Sequence, residues 1–467
     1  MTQKGPLMGT IRSIDPANGA ELAAFEEDSA AVVEHKLAMA AAAVPLLSAA
    51  GWNARAAWMR TAADLLESEI ETVSMLITKE MGKPIAQSRA EVAKSVHAMR
   101  FYADNAEQFL TGRTLENPGA VNASSAGTRF DPLGVILAVM PWNYPLWQVV
   151  RFAAPALMAG NAGVLKHASN VPQSAVYIGG LFTRAGFPEG SFSSLLISSR
   201  RVADVVRDPR VTAVTLTGSE GAGRSIAATA GDALKKVVLE LGGSDPFIVM
   251  PSADIDAAVE TAVKARMTNN GQACINAKRF IVQADIYEEF TRKFTKRMSS
   301  LVIGDPSDPA TEIGPLATES GRREIIELVE DARAKGANII AAGSDNERAG
   351  GWYFTPTAVT GLTPEMRLWS EEAFGPVASL YQAADLNEAL KIANGLEFGL
   401  GSAFWSTDTD EIDRAVREIQ AGAVFVNGMT ISYPELPFGG IKRSGYGREL
   451  SMEGIREFCN LKTVWVA

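Results

Sequence analysis

The sequence predicts an α/β fold built on parallel strands, and three observations carry that prediction. The short apolar runs GVILAVMP (134–141), AGVLKHAS (162–169) and VTAVTLTGS (211–219) are each followed by a helix-like stretch. That alternation is expected of βαβ units. KKVVLELGG (235–243) and DPFIVM (245–250) continue it, and a second α/β region runs from about 243 to 440. A chain of 467 residues is also too long for one ordinary core, which points to two or three domains.

The remaining elements follow from local patterns. Residues 53–80 repeat apolar positions at helical spacing, and Met81-Gly82-Lys83-Pro84 ends the run. A long uncharged stretch, Leu37 to Trp52, contains Pro45 and is rich in alanine. It falls short of the ~20 residues a membrane-spanning helix needs and reads as part of a surface-packed helix. Residues 117–130, NPGAVNASSAGTRF, are polar and turn-rich, and predict a protruding hairpin. The tail NLKTVWVA (460–467) alternates like a strand.

Composition narrows the function. Hydrophobic residues make up 47% and charged residues 21%, with a net charge of −10. An acidic chain argues against a nucleic-acid surface, because phosphate binding needs a basic patch. Nothing in MTQKGPLMGTIRSIDPANG (1–19) suggests a signal peptide, so no membrane association is expected. Two cysteines cannot build a disulfide framework and suit a reducing, cytoplasmic setting. The histidines, His35, His97 and His167, are scattered without ligand spacing, so no metal site is expected.

Several polar residues stand where ligands gather in open α/β sheets, beyond the carboxyl ends of strands. Lys166 ends an apolar run, and its ammonium could bond ribose hydroxyls. Gly218 and Ser219 open the stretch GSEGAGR after another run. That is not the usual dinucleotide glycine spacing, yet glycines and a helix N-terminus can admit a pyrophosphate, and Ser219 could donate a further hydrogen bond. Asn143 follows the first run, in MPWNYPLW (140–147), and Glu240 lies inside the apolar VVLELGG. A carboxylate there is costly to bury unless it is protonated or used. Cys274 follows a Gly-Gln turn in NNGQACINAKR (269–279).

Together PWNYP (141–145), ELGG (240–243), GQAC (271–274), EEAFGPV (371–377) and PFGGIKRSGYGRE (437–449) resemble the aldehyde dehydrogenase superfamily, in its order and separations. The resemblance implies the aldehyde dehydrogenase-like fold: a Rossmann-type cofactor domain (1–115 and 133–242), an α/β catalytic domain (243–441), and a small β oligomerisation arm and tail (116–132 and 442–467). It implies a homodimer or homotetramer. It also assigns Cys274 as the nucleophile, Asn143 as an oxyanion donor and Glu240 as the base that activates water. Trp142, Lys166, Ser169, Gly218, Ser219, Leu241, Glu372 and Phe374 would hold NADP or NAD, with Glu372 on the nicotinamide ribose and Phe374 beside the ring. The residue types suit the reaction. A thiolate adds to an aldehyde and later leaves from a thioester, and a base in apolar surroundings has a raised pKa.

Within the superfamily, KHASN and GQACINAKRF are similar to the bacterial branch of NAD(P)-dependent succinate-semialdehyde dehydrogenases. There, an arginine eight residues after the asparagine holds the substrate's far carboxylate, and Arg151 stands at that offset. A second arginine six residues before the nucleophile is replaced by Thr268, and Arg266 is near but of unknown direction. NAD-preferring relatives place a glutamate three residues after the strand-end lysine. Ser169 stands there instead, which favours NADP; as an alternative, Ser169 could cap the helix before Val171-Pro172. The expected small-molecule partner is succinate semialdehyde. Another aldehyde such as glutarate semialdehyde, a catalytically silent relative, and a thiol hydrolase are the rival readings.

Overall fold

The computed structural model describes residues 9–341 and 350–467. A hairpin of β1 (Thr10–Ile14) and β2 (Glu21–Glu26) precedes three helices, α1 (Ala30–Ser68), α2 (Ile70–Met81) and α3 (Ile85–Phe109). The periodic stretch 53–80 is therefore two helices. The break falls at Glu69, where neither glycine nor proline signals it; the Glu69 carboxylate instead accepts from Tyr177 and Arg184, each at 2.7 Å. The stop after Met81 matches expectation. Gly82 caps α2 at φ 76°, and an added Cβ would meet the Pro315 carbonyl at 2.7 Å, so glycine is required twice over.

By length and apolar content α1 could cross a membrane. It packs Leu37, Ala40, Ala43, Leu47, Met59 and Leu66 into the protein core, while most of its apolar window stays outside that core, as expected of a surface-packed helix, and Gly51 at φ 74° and ψ 173° interrupts its regular geometry.

Strand β3 (Ser125–Pro132) is followed by β4 (Val135–Met140), α4 (Trp147–Ala159), β5 (Ala162–His167), α5 (Pro172–Arg184), β6 (Phe192–Ser194), α6 (Val202–Arg207), β7 (Val211–Thr217), α7 (Glu220–Asp232) and β8 (Lys236–Glu240). Strands β8, β7, β4, β5 and β6 lie side by side in that order, all parallel. The chain winds one way from β4 to β6 and the other way from β7 to β8. The reversal leaves a crevice at the carboxyl ends of β4 and β7, the place where ligands bind in doubly wound sheets.

A second sheet begins with β9 (Asp245–Val249), then α8 (Ile255–Met267) and β10 (Ala277–Gln283). It adds β11 (Asn338–Ala341), β12 (Thr357–Thr360), β13 (Val377–Ala383), β14 (Ala403–Trp405) and β15 (Phe425–Val426). Its order is β11-β12-β13-β10-β9-β14-β15, parallel except for the β11–β12 pair. Helices α1–α5 and the first sheet share one core, while the second sheet is packed by others.

Around the stretch 117–130 the chain does fold back on itself, with Thr114 bridged antiparallel to Gly127 and the Leu115 amide donating to the Ala126 carbonyl at 2.8 Å, although the two sides do not form a two-stranded ladder of their own. Pro118–Val121 forms a short turn of 3₁₀ helix, and β3 pairs antiparallel with β17 (Cys459–Val466), Ser125 opposite Val466. Within 442–467, β17 pairs with β3. Strand β16 (Gly445–Tyr446) completes the first sheet beside β8, and Ile455 and Phe458 lie in the first core.

Candidate active site

The parallel strands of the first sheet deliver their carboxyl ends to one edge. Asn143 follows β4, Lys166 lies in β5 opposite Val139, Gly218 and Ser219 follow β7, and Glu240 is the last residue of β8. Cys274 reaches the same edge from the other sheet, on the loop between α8 and β10.

That loop is held by side chains on every side. Asn269 and Asn270 adopt left-handed backbone, φ 59° and 55°, a conformation asparagine tolerates better than most residues. Asn269 Nδ2 donates to the Asn143 carbonyl at 2.8 Å and to the Gln272 carbonyl at 3.1 Å. Asn270 Nδ2 donates to the Gly82 and Pro315 carbonyls at 2.8 and 2.9 Å. Asn276 Oδ1 accepts from the Ala273 amide at 2.7 Å. Lys278 Nζ donates to the carbonyls of Ala273 and Cys274, at 2.8 and 2.6 Å. Asn143 Nδ2 donates to the Gln272 carbonyl at 2.9 Å. This fixes the amide beside the Cys274 loop and leaves it a second N–H.

The sequence alone gave Arg266 no direction; here it is fully buried and bonded to backbone. It donates to the carbonyls of Val377 and Ala373 at 2.7 and 2.8 Å and to that of Gly375. A further bond to the Gly271 carbonyl at 3.2 Å clamps the EEAFGPV loop to the Cys274 loop, and the Arg266 Nη1 has no hydrogen-bond partner among the described residues.

Cys274 is half-buried. Loss of water around the thiol pushes it up to about 12, against the pull of Lys278 and Arg151. Glu240 is 1% exposed, and neither carboxyl oxygen has a hydrogen-bond partner among the described residues. Burial, with the Glu449 carboxyl nearby, holds Glu240 well above the usual carboxylate range, while Arg151 and Arg448 pull the other way. Glu449 is also buried and raised, again chiefly by burial. It was visible in sequence only as the end of a motif.

Arg151 is buried in α4. Its guanidinium forms an ion pair with Glu449, donates to Thr217 Oγ1 at 3.3 Å and lies 4.7 Å from the Phe438 ring centre. It is thus a buried, compensated arginine rather than a surface one.

Around the crevice, Trp142 and Phe374 meet edge to face with ring centres 5.7 Å apart. Glu372 pairs with Lys278 at 3.0 Å, so it is tied to the residue that grips the Cys274 carbonyl. Its neighbour Glu371 is exposed and paired with Arg367 at 2.8 Å. Lys166 is buried, and desolvation lowers its pKa against the pull of Glu27. Ser219 caps α7, its hydroxyl accepting from the Ala222 amide at 3.4 Å. Gly218 donates its amide to the Glu240 carbonyl at 3.0 Å. An added Cβ at Gly223 would strike Leu241 at 2.6 Å, which seats α7 close against the crevice. Ser169 is exposed in the turn between β5 and α5, and Val171 rather than Ser169 occupies the cap position. The capping alternative is thereby removed.

These residues suit a dinucleotide. They offer donors at strand ends, an exposed serine at a helix N-terminus, and the aromatic pair of Trp142 and Phe374. Among the described residues no group of three or more His, Cys, Asp or Glu could hold a metal ion.

Comparison with known proteins agrees. The model of the aldehyde dehydrogenase family matches residues 3–464. An NADP(+) succinate-semialdehyde dehydrogenase of Mycobacterium ulcerans is 60% identical over 412 residues, 88% of this chain and 90% of that protein. One of Mycobacterium avium is 56% identical over 457 residues, 98% of this chain and 96% of that protein. The crystal structure of succinic semialdehyde dehydrogenase from Streptococcus pyogenes, in complex with NADP+, superposes with a TM-score of 0.94 at 35% identity, covering 98% of this chain and 99% of that one.

Proposed function

The chain belongs to the aldehyde dehydrogenase family, and from that premise we propose that it oxidises succinate semialdehyde to succinate with NADP preferred over NAD. The observation that carries the chemistry is the meeting of a tightly held Cys274, the Asn143 amide and the unbonded, buried Glu240 at one strand-end crevice. The substrate and cofactor follow from the relatives above, which bear that activity in their names.

Cys274 Sγ, as thiolate, bonds to the aldehyde carbon, and the carbonyl oxygen becomes an oxyanion. The free N–H of Asn143 and the backbone N–H of Cys274 stabilise that charge. A nicotinamide cofactor, when held there, would accept the hydride that leaves this carbon as the carbonyl re-forms. Glu240 then takes a proton from water, whose oxygen attacks the thioester. The C–S bond breaks and Cys274 departs as thiolate. Trp142, Lys166, Ser169, Gly218, Ser219, Leu241, Glu372 and Phe374 are the residues that would hold the cofactor. Residues 1–115 and 133–242 form its domain, and 243–441 bring the nucleophile. Arg151, at its offset from Asn143, holds the substrate carboxylate in this reading, although Glu449 already shares its charge.

The arm supports a homo-oligomer, dimer or tetramer. Strand β17 exposes Leu461, Val464, Trp465 and Val466, an apolar edge that wants a partner. Sedimentation as a monomer would contradict this. A reducing cytoplasm suits an enzyme whose nucleophile is a free thiol.

The test is growth of reduced-nicotinamide absorbance with NADP or NAD against succinate semialdehyde, glutarate semialdehyde and butanal. Fastest turnover of the C4 semialdehyde with NADP is the expected result. Preference for glutarate semialdehyde replaces the substrate, and hydrolysis without cofactor reduction replaces the reaction class.

A further inference from the structure

We infer that Lys94, held on Ser432, adds a second cation beside Arg151 at the far carboxylate of the substrate; the inference rests on the proposed oxidation of a carboxylate-bearing aldehyde. A cavity of about 360 Å³ lies beside the Cys274 loop. Ala273 and Ile275, the residues on either side of the nucleophile, form part of its wall, with Tyr144, Trp147 and Thr268. Lys94, on α3, reaches into the same wall.

Lys94 is a cation without a counterion. Among the described residues no carboxylate lies within ion-pair distance of it. Glu91, one turn back on α3, is occupied: it pairs with Lys83 and accepts the Leu146 and Trp147 amides at 2.9 and 3.0 Å. Lys94 Nζ sits 4.3 Å from the Trp147 ring centre and donates to Ser432 Oγ at 2.8 Å. The indole Nε1 of Trp147 donates to the same oxygen at 3.1 Å. Ser432 thus accepts two hydrogen bonds and keeps its own proton to donate. Lys94 keeps two of its three ammonium hydrogens.

The electrostatics run the same way. Burial, then the positive charge of Arg151, brings the Lys94 ammonium down to about 7, with Glu91 opposing and Lys83 adding to the fall. An anion bound between Lys94 and Ser432 would restore the charge. Lys264 also lines the cavity but is exposed, and Arg151 has Glu449 for a partner, so the desolvated cation without a carboxylate among the described residues is Lys94. It supplies what the replacement of arginine by Thr268 takes away.

The experiment compares kcat/KM for succinate semialdehyde with that for butanal in wild type, Lys94→Met and Lys94→Arg. The ratio should fall at least ~10-fold in Lys94→Met, mainly through KM, and stay within about threefold of wild type in Lys94→Arg. A second readout is protection of Cys274 from alkylation by succinate, which should be present in wild type and lost in Lys94→Met. An unchanged ratio with unchanged protection in Lys94→Met overturns the inference. Lys94→Gln, judged by the same criteria, replaces a Met variant that fails to fold. A wild type that does not distinguish the two aldehydes overturns the substrate reading itself, which separates that failure from a failure at Lys94.

Discussion

The two ends of the crevice are built on opposite terms. At the reacting end, Cys274, Asn143 and Glu240 are wholly or partly buried, and five side chains pin the Cys274 loop (Asn143, Asn269, Asn270, Asn276 and Lys278). At the nucleotide end, Ser169 and Ser219 are exposed, and Ser169 sits in an open turn. Burial shifts both the thiol and the carboxyl away from their ordinary ranges; an exposed serine is a matter of one hydroxyl and its neighbours. On the proposed reading the difference teaches that chemistry here depends on packing, whereas cofactor choice would rest on a replaceable surface residue.

Cys274→Ala tests the buried end most severely. Dehydrogenase activity should drop below ~0.01% of wild type, with nucleotide binding retained in an equilibrium titration. Residual turnover above a per cent or so would break the comparison at its base. Glu240→Gln should come next, slowing deacylation by ~10²–10⁴. Mass spectrometry during turnover should then find an acyl adduct on Cys274, and unchanged rates without adduct would remove Glu240 from the mechanism.

The thiol itself gives a third measurement. Because its pKa is pushed up to about 12, the thiolate fraction in the nucleotide-free protein should climb ~10-fold per pH unit. Alkylation of Cys274 should accordingly rise ~100-fold from pH 7 to 9 without levelling. A plateau below pH 8 would mean the thiol is activated at rest. Last, Ser169→Glu at the open end should lower the NADP/NAD ratio of kcat/KM about tenfold, or ~1.4 kcal/mol, through repulsion of the 2′-phosphate. A wild type that strongly prefers NAD, with a ratio indifferent to this change, would show that the open end does not decide the cofactor.

Much of this was legible in the chain. The apolar runs ending near Asn143, Lys166, Gly218 and Glu240 mark strands whose carboxyl ends share an edge, because parallel order forces it. What stayed hidden required distant partners. The pairing of β3 with β17 joins residues near opposite ends of the chain, so each strand alone suggested something simpler. The Glu69 break has no local breaker, only bonds to Tyr177 and Arg184. Arg151 gave an offset but not its partner Glu449. Lys94 reads as an ordinary helical lysine until Ser432 and Trp147 close around it.

The protonated state of Cys274 also bears on how long the molecule lasts. Peroxide attacks thiolate far faster than thiol, so a thiol held neutral by burial ages slowly while the crevice is idle. Its sequence neighbours Ile275, Asn276 and Ala277 offer no second sulfur, and Cys459 belongs to the arm strand. A sulfenic acid formed on Cys274 would therefore have no adjacent thiol to capture it before further oxidation. The molecule's defence is prevention rather than repair, and its most exposed moment to oxidant is turnover itself.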